Sequence, residues 1–425
     1  MYQPLDNGPG RGNCGEELES GDLPVLTHRY DLRKIGRWVE IFTLDSCLFY
    51  PLQRVGGFSM SKPMRNGITT GTCVAAAAKA AILSWQGIAL AQVDVTTPQG
   101  RILTVPVAAA GADEKSGWAR VIKDAGDDPD ITNGVSIETV VEMRLQPGIA
   151  IVAGEGVGTV TKPGLAVPAG QPAVNPGPRI MIEKAVSESL PPGWGAVVTI
   201  TIPRGVELAK RTLNPQLGIV GGLSIIGTTG IVEPMSEEAF KNSLTPQVNM
   251  VKALGYDSIV FAPGKIGQNI AINLYKLPSE TVVQTSNFIG HMLEYAAAQG
   301  MKQVLLFGHL GKVVKIAAGI FHTHNRVADA RLETMAAYAG AVGASQQAIC
   351  DILACTTTEA AMAVIAEHQL ESVYPLLADR ASQRACRYVF GDLTVGTVIV
   401  TLQGQILGMD DGAREIGGTL GWNIT

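Results

Sequence analysis

Two glycine turns hold the residue types most able to do chemistry. "IVFAPGKIGQNIA" runs from an apolar strand through Gly264-Lys265-Ile266-Gly267 into a helix that carries Asn269. "VLLFGHLGKVVKIA" runs from a strand through Gly308-His309-Leu310-Gly311-Lys312 into another helix. At such points backbone N–H groups and the positive end of a helix can meet an anionic or ribose group, and glycine lets the ligand come close. Neither turn matches G-x-G-x-x-G, and neither ends in the Lys-Ser/Thr of a P-loop. A close-packed β–α turn is the other reading of each. On adjacent units of one sheet, the pair points to a ligand cleft at the strands' carboxyl ends.

Three further stretches invite the same question. In "NGITTGTCVAAAAKAA", Asn66 to Ala81, Thr69, Thr70, Gly71 and Thr72 precede Cys73 and an alanine-rich helix. Thr72 reads as its N-cap, and the hydroxyls and free N–H groups suit a carboxylate. No histidine nearby would activate Cys73 as a nucleophile, although a helix N-terminus lowers a thiol pKa. In "KRTLNPQLGIVGGLSIIGTTGIVEPMS", Lys210 and Arg211 lie on a short helix ended by Asn214-Pro215. Gly221, Gly222, Gly227 and Gly230 then alternate with the hydroxyls of Ser224, Thr228 and Thr229. Composition fits ligand approach and tight packing equally. In "GIFHTHNRVADARLE", His322 and His324 on a strand would share one face, as in some metal sites, but no third ligand is near. Polar contact with a substrate is preferred there, with Asp329, Arg331 and Glu333 as the charged face of the next helix. Cys350 and Cys355, on apolar helical sequence, read as buried small hydrophobes.

The elements that must position these groups fall into two rhythms. From its N-cap at Thr72 a helix runs to about Trp85 and stops at Gly87. "AQVDVTTPQGRILTVPV" is a hairpin turned by Pro98 and Gly100, and "SIETVVEMRL" alternates with Ile137, Thr139, Val141, Met143 and Leu145 on one face. A long Pro/Gly-rich loop, "GVGTVTKPGLAVPAGQPAVNPGP", leads to the helix "RIMIEKAVSESL" and the strand "GAVVTITIP". Beyond Pro234, Ser236 caps a helix with Glu237 and Glu238 in its first turn. Strand and helix then alternate through three successive units, alanine-rich helices fill 327–390, and "VGTVIVTLQGQILGMD" closes the chain as a hairpin. The expected fold class is an α+β N-terminal domain, an antiparallel sheet with packed helices, over 60–235. A Rossmann-like α/β C-terminal domain follows over 236–425. Residues 1–59 show no sustained periodicity and read as a disordered or mis-started extension before Met60.

A chain of 425 residues exceeds one ordinary core, and 46% apolar with 17% charged residues is globular composition. The net charge of −5 argues against nucleic-acid or membrane-surface binding, so an anionic substrate needs local cations. Six cysteines with no Cys-x-x-Cys pair suit a reducing cytoplasm. No apolar run is long enough to span a bilayer, and no leader is expected.

Taken in order, "GITTGTCVAAAAKAA", "GVGTVTKPGLAVPAGQPAVNPGPRIMI", "KRTLNPQLGIVGGLSIIGTTGIVEPMSEEA" and "GHLGKVVKIAAGIFHTHNRVADARLE" resemble the CbiD family from about Arg65 to Ile416. The resemblance implies a two-domain enzyme that moves a methyl group from S-adenosylmethionine to C1 of cobalt-precorrin-5B, giving cobalt-precorrin-6A. Cobalt would then arrive with the substrate, and no protein-bound metal is expected. The donor is assigned to Gly264, Gly267, Asn269, Gly308, His309 and Gly311. The tetrapyrrole is assigned to Thr69–Thr72, Lys210, Arg211, Gly227, Thr228, Thr229, Thr323 and His324, with Lys265, Lys312 and Arg326 as further carboxylate partners. The catalytic residues stay unassigned; the sulfonium is already activated, so a strong base is not required at the methylated carbon. A nicotinamide-dependent reductase of the same pathway and a non-catalytic tetrapyrrole carrier stay open. So do a homo-oligomer and transient contacts with other enzymes of the pathway.

Overall fold

Alanine decides the first half. In the computed structural model, which describes residues 63–422, the helix Thr70–Trp85 is buried on nearly all sides from Thr70 to Ile82. A helix apolar all round belongs inside a domain, and alanine's short side chain lets its neighbours come close. Gly117 shows how close: a Cβ there would collide with the carbonyl oxygen of Ala81. This helix and the helix Pro176–Ser187 cover one face of a five-stranded sheet. Its strand order is Ala109–Ala112, Ser116–Ile122, Ser136–Arg144, Gly195–Thr201, Ile149–Ala153. The pairs are antiparallel except the last, which is parallel.

Ile137, Thr139 and Val141 point into the core as their alternation predicts, whereas Leu145 lies past the strand end and is 72% exposed. The hairpin Gln92–Thr96 with Ile102–Pro106 forms as expected. The Pro/Gly-rich stretch after Gly154 corrects the expectation of an unstructured loop. Gly156–Val157 pairs with Gly222–Leu223, and Thr159–Val160 with Ile219–Val220. The two glycine-rich segments thus zip together, and a Cβ on Gly156, Gly205 or Gly222 would strike facing backbone. Much of their glycine content serves backbone packing.

The second half is built on another five-stranded sheet. Val282–Gln284, Ser258–Ala262, Gln303–His309 and Thr394–Val400 run parallel in that spatial order, and Ile406–Met409 joins antiparallel at the edge. Both faces are covered. Ile259, Phe261, Val304 and Leu306 face one apolar cluster; Val260, Ala262, Leu305, Phe307 and Val398 face the other, against Ile416 and Trp422. Near-continuous apolar strands are what two covered faces require. Ser236 caps the helix Glu237–Leu244 as predicted, its hydroxyl accepting from the Ala239 N–H. Four alanine-containing helices, Arg331–Ala341, Gln346–Ala354, Thr358–Glu367 and Val373–Tyr388, occupy the stretch expected to be helical. Beyond the final strand pair lies one more helix, Asp411–Thr419, so that hairpin does not close the chain. The expected 1–59 extension lies outside the described residues. Among the described residues, no helix is long and apolar enough to cross a membrane.

Candidate functional site

Sheet topology selects the place to look. The strands Ser258–Ala262 and Gln303–His309 are neighbours, and the chain leaves the first toward one edge and the second toward the other. Such a divergence opens a crevice beyond the carboxyl ends of the two strands. Both glycine turns sit there. A Cβ on Gly308 would meet the Pro263 ring at 2.9 Å, and one on Gly267 would lie 3.2 Å from the Phe307 carbonyl oxygen. These two glycines let turn pack on turn. Gly264 has open space where its Cβ would be, while Lys265 and Asn269 are exposed.

His309 ends its strand and caps the helix Leu310–Ala317, with Nδ1 accepting from the Gly311 N–H at 3.2 Å. Its Nε2 lies 2.9 Å from Glu359 Oε1, though not aligned as a hydrogen bond. Burial pushes the imidazole below its usual range, against the pull of Glu359. An acceptor role for Nδ1 fits the neutral ring. One turn on, Lys312 donates to Asn287 Oδ1 at 2.6 Å and to the Thr323 carbonyl at 3.2 Å. Desolvation, with Lys315 and Arg331 nearby, holds its ammonium below the ordinary lysine range. A cation at the positive end of a helix, with only neutral acceptors, is electrostatically unfavourable by itself. An arriving anion would relieve that conflict.

The segment 321–329 folds back over this helix. His322 and His324 lie in irregular backbone, not on the strand that would set both rings on one face. His322 packs on the Phe288 ring at 4.9 Å, and His324 Nδ1 accepts from the Arg326 N–H. Among the described residues no three His, Cys, Asp or Glu side chains gather as a metal site. Thr323 is buried, its N–H donating to the Asn287 carbonyl at 2.9 Å, while His324 and Arg326 are exposed. Asp329 and Arg331 form a two-bond pair at 2.7 and 2.8 Å instead of a helix-face array.

The threonine turn of the first half has most of its donors engaged. Thr69, not Thr72, is the N-cap, accepting from the Thr72 N–H at 3.2 Å. Thr70 Oγ1 and the Gly71 N–H each donate to the Ile226 carbonyl at 3.1 Å, and Thr72 Oγ1 donates to that of Gly230 at 2.6 Å. The 226–230 turn therefore plugs this helix end. Gly227 has a φ of +126°, and a Cβ there would strike Thr69. Thr228 and Thr229 stay exposed at the tip. Lys210 and Arg211, also exposed, follow the helix Gly205–Ala209 and are not within it.

Cys73 lies inside the helix, fully buried, and burial pushes its thiol up to about 12. A nucleophilic role has no footing there. We expect Cys73→Ser to retain most activity at some cost in melting temperature, because a hydroxyl replaces a buried thiol. Loss of turnover at unchanged stability would restore the nucleophile. Cys350 is exposed on the helix Gln346–Ala354 and Cys355, at its C-terminal end, is half-buried against the core, which corrects the expectation of two buried thiols.

Sequence reasoning did not single out Asn287, Lys315 or Glu359. Lys315 carried a signal: it is a lone cation in the apolar run Val313–Ala317.

The chain matches the CbiD family model over residues 58–234 and the model of the CbiD C-terminal domain over residues 322–411. It is 53% identical to the cobalt-precorrin-5B C(1)-methyltransferase of Moorella thermoacetica, across 86% of this chain and 100% of that one. Identity to the enzyme of the same name from Desulfitobacterium hafniense is 46%, covering 83% and 92%. A 1.9 Å crystal structure of the cobalamin biosynthesis protein (cbiD) from Archaeoglobus fulgidus is 31% identical over 64% of this chain and 84% of that chain, with a TM-score of 0.34.

Proposed function

The chain belongs to the CbiD family, and we propose that it methylates C1 of cobalt-precorrin-5B with S-adenosylmethionine, giving cobalt-precorrin-6A in anaerobic cobalamin biosynthesis. What carries this reading is the similarity to enzymes of that name along nearly their whole length. In this reaction the nucleophilic ring carbon attacks the methyl carbon as the carbon–sulfur bond breaks. The sulfonium leaves as a neutral thioether, and the methylated tetrapyrrole loses a proton. The protein has to align the two partners and exclude water.

We read the chain as an α+β domain followed by a Rossmann-like one, joined near residue 235. The donor would lie in the crevice of the second sheet, along Gly264, Gly267 and Asn269 on one side and Gly308, His309 and Gly311 on the other. Two features support that placement: the diverging connections, and the open space at Gly264. The tetrapyrrole carboxylates would meet Lys312, Arg326, His324 and the buried Thr323 segment. Lys265, Lys210, Arg211, Thr228 and Thr229 would offer exposed donors beyond. Thr69–Thr72 would act behind that surface, since the 226–230 turn consumes their donors.

Calorimetry with S-adenosylhomocysteine and NADPH, followed by incubation with S-adenosylmethionine and cobalt-precorrin-5B, tests the reading. Expected are binding of S-adenosylhomocysteine and a product heavier by one methyl group. NADPH binding without S-adenosylhomocysteine binding would point to a reductase, and binding of the tetrapyrrole without any methylated product to a carrier.

A further inference from the structure

Lys315 is fully buried, yet no carboxylate bonds to it. Its ammonium donates to the Thr323 carbonyl at 3.3 Å, Asn325 Oδ1 at 2.7 Å and the Ala328 carbonyl at 2.8 Å. Three donors meet three acceptors, all on the segment that folds back over its helix. The nearest acid, Asp329, has both oxygens on Arg331. Desolvation lowers the lysine's affinity for its proton against the pull of Asp329, and Lys312 and Arg331 add positive charge. Burying an ammonium in this way is costly, and a methionine would fill similar volume without that penalty. Stability therefore does not account for the lysine. Its geometry does: from one atom it fixes three points of an irregular segment.

We propose that Lys315 is a positioning residue for the tetrapyrrole side of the reaction. From within the helix Leu310–Ala317 it holds residues 323–328 in the shape that presents His324 and Arg326 to the substrate. Lys312 shares the Thr323 carbonyl and reaches Asn287, so the same clamp ties the segment to the turn that follows the strand Val282–Gln284. The inference rests on the reading above that this segment faces the tetrapyrrole.

Two variants test it. Asn325→Ala removes one clamp point at an exposed residue and leaves the core untouched. Lys315→Met removes all three. The KM for cobalt-precorrin-5B is expected to rise about tenfold in Asn325→Ala, the size of one lost charged hydrogen bond, and further in Lys315→Met. Affinity for S-adenosylhomocysteine should stay at the wild-type value, and amide hydrogen exchange should quicken across 321–329. A wild-type KM and unchanged exchange in Asn325→Ala would overturn the proposal. So would a joint fall in KM performance, S-adenosylhomocysteine affinity and melting temperature in that variant, which would mark a merely structural role. Should the wild-type protein bind no S-adenosylhomocysteine and make no product, the functional reading fails. The exchange measurement then still decides whether Lys315 holds the segment.

Discussion

Lys312→Met is expected to lower kcat/KM for methyl transfer by roughly 10- to 100-fold while leaving the melting temperature unchanged or raised. The ammonium of Lys312 is half-buried in the first turn of its helix, and its two partners, Asn287 Oδ1 and the Thr323 carbonyl, are neutral. It therefore keeps one N–H free and a charge that nothing beside it neutralises. A charge-assisted bond from that group to a substrate carboxylate would contribute about 1.5–3 kcal/mol, and its loss gives the stated range. Removing a desolvated cation from the positive end of a helix costs little in the free protein. Thr323 Oγ1, 3.4 Å from Asn287 Oδ1, can partly replace the lost donor. Steady-state kinetics together with a thermal melt separate the two quantities. Wild-type kcat/KM in a folded variant would remove Lys312 from the substrate site.

Gly71→Val is expected to destabilise the protein by about 3 kcal/mol, near the upper end for overpacking. A Cβ at this position would lie 2.8 Å and 2.9 Å from the Pro178 ring and 3.2 Å from Met181 Cε. Pro178 lies in the first turn of the helix Pro176–Ser187 and its ring cannot swing aside, so the two helices must part or the backbone must bend. The same shift would pull Gly71 from the Ile226 carbonyl and loosen the turn that ends in Thr228 and Thr229. Activity should fall with stability, as chemical denaturation and turnover measured side by side would show. A variant as stable as wild type but inactive would mean that Gly71 makes room for a ligand and not for a helix.

Both predictions rest on groups visible in the sequence whose surroundings were not. Gly71 stood out as a small residue before an alanine-rich helix, and Lys312 as the cation closing a glycine turn. Which reading of each holds depends on partners far along the chain. Thr70 meets Ile226 across 156 positions and Thr72 meets Gly230 across 158, so no local spacing could reveal that this helix end is already plugged. His322 and His324 had a spacing suited to one face of a strand, but the backbone there forms no strand, and Lys312 and Lys315 both donate to the Thr323 carbonyl between them.

By itself the sequence determined what local chemistry determines. An alanine-rich run with its cap and stop marked the buried helix that spans Thr70–Trp85, alternation set the strand Ser136–Arg144, and strands alternating with helices indicated a sheet flanked by helices. The glycine turns after two of those strands marked where backbone could approach a ligand. Tertiary structure decided which donors remain free. Desolvation and hydrogen-bond occupancy are properties of the assembled surroundings, and they separate Lys312, with a donor to spare, from Lys315, whose donors are all spent three residues away on the same helix.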